Sequence, residues 1–268
     1  MDRYASAQSE ALHGRTVYSG RAIMPPSLTV FSLPCAGASA VTYLRWRRRL
    51  PAWVQIEPVE LPGRGGRLHE STEEGFDALA ARLCDELEND PPQRYALYGH
   101  SMGALLAYRI AHCLRMRKRQ MPLALLVSAC AAPSQQDWRR YANRDSAALL
   151  VAELRKQNGT PEEVFENPEL LSMTLSLLRS DFRVCASFRY EASAPLSIPI
   201  HVFGGRADEI LPSRLEAWRY ESTAEFSLNW FDGGHFFIRQ QEEAFLSTLV
   251  QRLAGETVEI SDAALTSA

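Results

Sequence analysis

The chain has 268 residues, 46% of them hydrophobic, and a formal net charge of -3. That length buries a sizeable core as one large α/β domain or two smaller ones, and the near-neutral charge gives no electrostatic reason to expect nucleic acid as a partner. Five cysteines, an odd number without a Cys-x-x-Cys pair or metal-ligand spacing, speak against a disulfide framework, and no metal or resident cofactor is expected.

Residues 1–26 are polar and mixed, end in Pro25-Pro26, and are read as a flexible extension. They contain neither the apolar stretch of a secretory signal nor a membrane span, so a cytoplasmic location is expected. Leu28 to Leu33 predicts a strand, followed by a loop of small residues, Pro34-Cys35-Ala36-Gly37-Ala38-Ser39. A helix over 41–50 and a strand over 54–59 come next, then the loop Leu61-Pro62-Gly63-Arg64-Gly65-Gly66-Arg67. Phe76, Leu79, Ala80, Leu83 and Leu87 recur at helical spacing, and Asn89-Asp90-Pro91-Pro92 stops that helix.

Tyr95 to Tyr98 then reads as a buried strand and residues 104–111 as a helix, with Gly99-His100-Ser101-Met102-Gly103 between them. A serine between glycines at a strand-to-helix junction has the pattern of a nucleophile elbow, where small neighbours allow a turn sharp enough to expose the hydroxyl. The apolar run 123–128 predicts a strand covered on both faces. Between Pro133 and Pro199 the pattern is helical, with starts near Ala147, at Thr160-Pro161-Glu162-Glu163 and at Asn167-Pro168-Glu169. Such an excursion between strands is either a lid over a site or a cover for the sheet. Strands over 199–203 and 226–231 and a helix over 242–253 complete the domain, 27–254, leaving a polar tail over 255–268.

A serine hydroxyl needs an imidazole to take its proton and a carboxylate to orient that imidazole. Asp208, in the turn after the strand 199–203, and His235, in the loop after the strand 226–231, can supply these to Ser101. The chain order Ser, Asp, His is that of the α/β-hydrolase fold, a mostly parallel central sheet flanked by helices. In that architecture one oxyanion-stabilising amide follows the nucleophile, here Met102, and the second comes from a loop after an early strand, here Ala36. Asp181 and Asp232 are alternative acids, whereas His100, His112 and His201 are read as structural and His13 and His69 as loop residues.

Together the GHSMG elbow, the loop 33–39, Glu60-Leu61-Pro62-Gly63-Arg64-Gly65, Leu177-Leu178-Arg179-Ser180-Asp181-Phe182 and Gly234-His235-Phe236-Phe237 resemble the type II thioesterases of nonribosomal peptide and polyketide synthesis. The resemblance spans about residues 28–252. It implies a helical lid over about 133–198, and removal of aberrant or stalled acyl groups from the phosphopantetheine arms of acyl or peptidyl carrier proteins. Ser101 would be the nucleophile, Asp208 and His235 its partners, and Ala36 and Met102 the oxyanion donors. A monomer acting without membrane, nucleic acid or cofactor is expected. The family loop usually reads Ala-Gly-Gly-Ser where this chain has Ala36-Gly37-Ala38-Ser39, so a positive φ at the second glycine position would strain Ala38. Two other readings remain open: an esterase on free small-molecule esters, and a non-catalytic carrier-binding protein docking through the arginine clusters at 45–49 or 115–119.

Overall fold

The computed structural model describes residues 27–72, 75–142 and 146–265. The extension read from residues 1–26 lies outside the described residues. Six parallel strands form one sheet: β1 (Leu28–Leu33), β2 (Val54–Pro58), β3 (Tyr95–His100), β4 (Leu125–Ser128), β5 (Ile200–Gly205) and β6 (Phe226–Phe231), in the order β2-β1-β3-β4-β5-β6. The order reverses between β1 and β3. In an open parallel sheet, ligands bind in the crevice beyond the carboxyl ends of the strands at that point.

Alternation along the strands divides the core into two layers. Leu97, Leu125, Val127, Ile200 and Val202 pack on α2 (Phe76–Glu88) and α3 (Met102–Met116), as Leu79, Leu83, Leu106 and Ile110 do from the helix side. Val30, Ala96, Tyr98, Leu126 and Phe203 face the opposite layer. There they meet Tyr43 from α1 (Val41–Leu44), Trp46 from the adjoining 3-10 turn, and Phe245 and Leu249 from the C-terminal helix α9 (Glu242–Leu265). The helix expected over 41–50 is thus a single α turn followed by a 3-10 turn, Arg45–Arg48.

Between β4 and β5 stand three helices, α4 (Ala147–Gln157), α5 (Glu162–Glu166) and α6 (Pro168–Ser187). Asn167 caps α6, its side-chain oxygen accepting from the N–H groups of Glu169 and Leu170. The helix start read at Thr160 is displaced, because α5 begins at Glu162 with Pro161 at its N-cap. Leu150, Leu154, Leu175, Leu178 and Phe182 give the insertion a small core of its own, and Ala36 of the loop after β1 packs against it. Two short helices, α7 (Pro212–Glu216) and α8 (Phe237–Gln240), flank β6.

The terminal helix expected to end at 253 is longer, because α9 runs without interruption to Leu265, into the region read as a polar tail. A Cβ at Gly255 would meet nothing within 4 Å, so this glycine is an exposed position within a continuing helix. One turn of that continuation is anchored, since His201 on β5 pairs through Nε2 with Glu256 Oε1 at 3.0 Å. Among the described residues no helix is long and apolar enough to cross a membrane.

Candidate active site

Ser101 occupies the single residue between β3 and α3, with φ 54° and ψ -115°, a backbone conformation rare for a residue bearing a Cβ. Its N–H donates to the Ser128 carbonyl at 2.8 Å and its carbonyl accepts from Ala104 N–H at 3.0 Å. The flanking glycines act through close approach. A Cβ on Gly99 would lie 2.1 Å from the Gly103 carbonyl oxygen, and one on Gly103 would lie 2.2 Å from the Leu33 carbonyl oxygen. Larger residues would push α3 off the strand ends and relax the turn.

Strand register brings the remaining parts together. Leu33 lies beside Gly99 in the β1–β3 pair, so the loop after β1 and the Ser101 turn leave the sheet side by side, where its order reverses. Ala38 N–H donates to the Cys35 carbonyl at 3.1 Å and Gly37 has φ +75°, which defines a type II β-turn with Ala36 and Gly37 at its centre. The positive φ therefore falls on the glycine that is present, and the strain expected at Ala38 does not arise. Ala38 and Gly37 both have their amides engaged, the latter donating to Asp181 Oδ2 at 2.7 Å. Met102 opens α3, where a helix has N–H groups without intrahelical acceptors. Ala36 and Met102 line one enclosed cavity with Ser101 and His235.

On the other side of this cavity, Gly205 pairs with Phe231, so the loops after β5 and β6 are also adjacent. Ala207 N–H donates to the Gly233 carbonyl at 2.9 Å, and a Cβ on Gly205 would fall 2.4 Å from the Gly234 carbonyl oxygen. This contact sets His235 Nδ1 2.9 Å from Asp208 Oδ2, with the two side chains only 12% and 6% exposed. Burial by itself would raise the Asp208 pKa. The hydrogen bond and charge of His235, with the backbone N–H groups of Glu209 and Ile210, outweigh it and hold the carboxyl below its ordinary value.

Of the alternatives, Asp232 lies on the surface opposite Arg206, and Asp181 is buried in an ion pair with Arg64. His100 is fully buried, and Nδ1 is 2.6 Å from Ser128 Oγ. Burial first, then the neighbouring His235, push its pKa far down, so it stays neutral beside the site. Burial likewise drives His112 down to about 4, and His201 spans Ser227 and Glu256. Cys35 faces the same enclosed cavity as Ser101, yet burial raises its thiol to about 11, which removes it as a competing nucleophile at neutral pH.

Three residues hold the loop after β1, a role that the sequence assigned to none of them, Asp181 having been read there as an alternative acid. Asp181 and Arg64 grip the loop after β1, and Glu60 holds its far end, accepting from Ser39 Oγ at 2.7 Å and Ala40 N–H at 3.0 Å. The available signal was Asp181 itself, an acid set between Leu178 and Phe182 on the apolar face of a helix. Arg140 and Tyr141 also line the cavities at Ser101. The arginine clusters have partners within the chain: Arg45 and Arg49 meet Glu242, Arg47 meets Glu57, Arg117 meets Asp85 and Glu88, and Arg115 donates to the carbonyls of Ala194 and Pro195.

A parallel sheet with a strained serine turn after its third strand, and with an aspartate and a histidine hydrogen-bonded after its fifth and sixth, defines an α/β-hydrolase. Within that class the chain belongs to the thioesterase family, whose thioesterase domain matches residues 28–253. It is 32% identical to the gramicidin S biosynthesis protein GrsT of Aneurinibacillus migulanus over 231 residues, covering 84% of this chain and 89% of that one. Among solved structures, it resembles the thioesterase RedJ from the prodiginine pathway of Streptomyces coelicolor (TM-score 0.74, 32% identity, 88% of this chain and 99% of that one). It also resembles the type II thioesterase BorB from the borrelidin biosynthetic cluster (TM-score 0.76, 36% identity, 85% and 94%).

Proposed function

We propose that this thioester hydrolase acts as an editing, type II thioesterase, clearing aberrant or stalled acyl groups from the phosphopantetheine arms of carrier proteins in nonribosomal peptide or polyketide synthesis. The observation that carries the reading is the junction of the strained Ser101 turn with the His235–Asp208 pair across one enclosed cavity, in a chain of this family. Asp208 accepts from His235 Nδ1–H, which leaves Nε2 free to take a proton. Ser101 Oγ attacks the thioester carbonyl carbon as its proton passes to His235 Nε2. Negative charge on the carbonyl oxygen is held by the N–H groups of Ala36 and Met102. The carbon–sulfur bond then breaks, and the pantetheine thiolate leaves with the proton from His235. Water, deprotonated by the same imidazole, attacks the acyl-serine and releases the carboxylic acid. The cycle asks for no metal or resident cofactor, and the partner is the acyl or peptidyl carrier domain that delivers the arm.

Release of acid from an acyl-loaded carrier protein tests this directly. Ser101→Ala is expected to reduce release to the uncatalysed background, while wild type turns over. Equal rates for the two proteins would overturn the reading. Hydrolysis of free esters far ahead of carrier-bound thioesters would point to the esterase reading instead. A fluorophosphonate probe is expected to label folded wild type and leave Ser101→Ala unlabelled, and failure to label wild type would favour a non-catalytic binder.

A further inference from the structure

The loop after β1 is fastened from outside by a charged pair whose placement the packing of the fold does not by itself require. Arg64 donates through Nη1 to Asp181 Oδ2 at 2.7 Å and through Nη2 to Oδ1 at 2.6 Å, and the two side chains are 3% and 2% exposed. The same Asp181 Oδ2 accepts from Gly37 N–H at 2.7 Å, and the same Arg64 Nη1 donates to the Ala38 carbonyl at 3.0 Å. The pair thus grips the central peptide of the turn through Gly37 N–H and, two peptides further on, the Ala38 carbonyl by which the chain leaves it.

Gly37 N–H belongs to the central peptide of the Cys35–Ala38 turn. A type II turn differs from type I chiefly by a flip of that central peptide, with ψ of the first central residue moving between about 120° and about -30°. The carboxylate therefore stands where only one of the two flips places an N–H. That flip decides to which side the Ala36 carbonyl turns, next to the Ala36 N–H that the proposed mechanism assigns to the oxyanion. Asp181 lies on α6, inside the insertion, and Leu178 one turn earlier packs on Gly37 itself, at 3.3 Å from where its Cβ would be.

Replacing a buried ion pair by apolar side chains of similar volume is often neutral or favourable for stability, so the presence of this pair is not explained by the pairing energy alone. An apolar pair would offer Gly37 N–H no acceptor and the Ala38 carbonyl no donor. We propose that Asp181, aimed by Arg64, is a positioning residue that selects the catalytically competent flip of the oxyanion loop, and so makes helix α6 of the insertion part of the oxyanion machinery. The proposal rests on the Proposed function above, which puts the Ala36 amide in the oxyanion hole.

The test compares wild type, Ser101→Ala and the double variant Arg64→Met/Asp181→Leu on an acyl-loaded carrier, with rates normalised to fluorophosphonate-titrated serine and thermal melts run in parallel. Loss of one preorganised oxyanion donor lowers kcat by about 10²–10³-fold. The double variant is expected to melt cooperatively and show that fall in kcat per titrated serine, with KM within about threefold of wild type. A folded double variant with wild-type kcat would overturn the positioning role while leaving the hydrolase reading intact. Should Ser101→Ala release acid as fast as wild type, both readings fall together. If the double variant does not fold, Asp181→Asn keeps the shape and makes a single carbonyl oxygen serve both Gly37 and Arg64. It is expected to lower kcat about tenfold or more at unchanged KM, and wild-type kcat in that variant would equally overturn the proposal.

Discussion

At Ser101 the backbone holds a conformation that costs a non-glycine residue about 1–3 kcal/mol. Hydrogen bonds to Ser128 and Ala104, and the glycine contacts on both sides, over-determine the turn so that this strain persists. Asp208 is the other residue whose environment makes a measurable statement. Its folded carboxyl titrates below the ordinary value of 3.8, so its contribution to stability is complete above that value and is lost as pH falls through the lowered one. Asp208→Asn is expected to lower kcat by about 10²–10⁴-fold, through loss of the correct imidazole tautomer. The gap between the urea midpoints of wild type and variant, followed by circular dichroism, should be at full width above about pH 3.8 and close as pH falls below that value. A gap that widens on acidification would contradict the lowered Asp208 carboxyl.

Among the elements, α6 and α9 carry more than their sequences announced. An exposed glycine within a helix costs only about 1 kcal/mol against alanine, which tertiary anchoring readily offsets, so Gly255 reads as a stop and is not one. The anchor is Glu256 against the buried His201. Glu256→Ala leaves an imidazole nitrogen without its partner and should destabilise the fold by about 1–3 kcal/mol, read as a lower urea midpoint, with kcat on the carrier unchanged. In α6 the apolar periodicity was legible, but Asp181 on its buried face read only as an alternative acid until Arg64 stood opposite it. Partners that lie 117 residues apart in the chain leave no local pattern.

For the whole molecule, the space at the serine bounds the substrate. The cavity at Ser101 that also includes Leu105, Cys130, Gln136 and Tyr141 is about 40 Å³, and the enclosed one toward Phe182 is about 10 Å³. With about 10–15 Å³ needed for each water-sized group, these two spaces suit a short acyl chain, whereas a long one has to reach the larger space of about 240 Å³ beside Asp208 and His235 or displace the insertion. On one carrier protein, kcat/KM is therefore expected to fall at least about tenfold between butyryl and decanoyl loads, a change of about 1.4 kcal/mol in transition-state stabilisation. A flat profile would show that long chains find room at no cost. The arginine clusters belong at this scale too, because partners from distant segments hold most of them to the chain's own surface.

The sequence by itself determined the six strands to within a few residues, the helical insertion and the glycine-flanked turn at Ser101, and it singled out Asp208 and His235, which the structure hydrogen-bonds to each other. Strand alternation, helical period and the glycine-flanked turn are local consequences of backbone sterics, so they can be read where they occur. Only the tertiary structure decided that Gly37 takes the positive φ, that Asp181 and Arg64 hold the loop containing it, and that α9 continues past Gly255. Each of these depends on which distant group fills a hydrogen bond or covers a face. That is fixed by the order and register of the sheet, which bring the ends of β1, β3, β5 and β6 around one cavity.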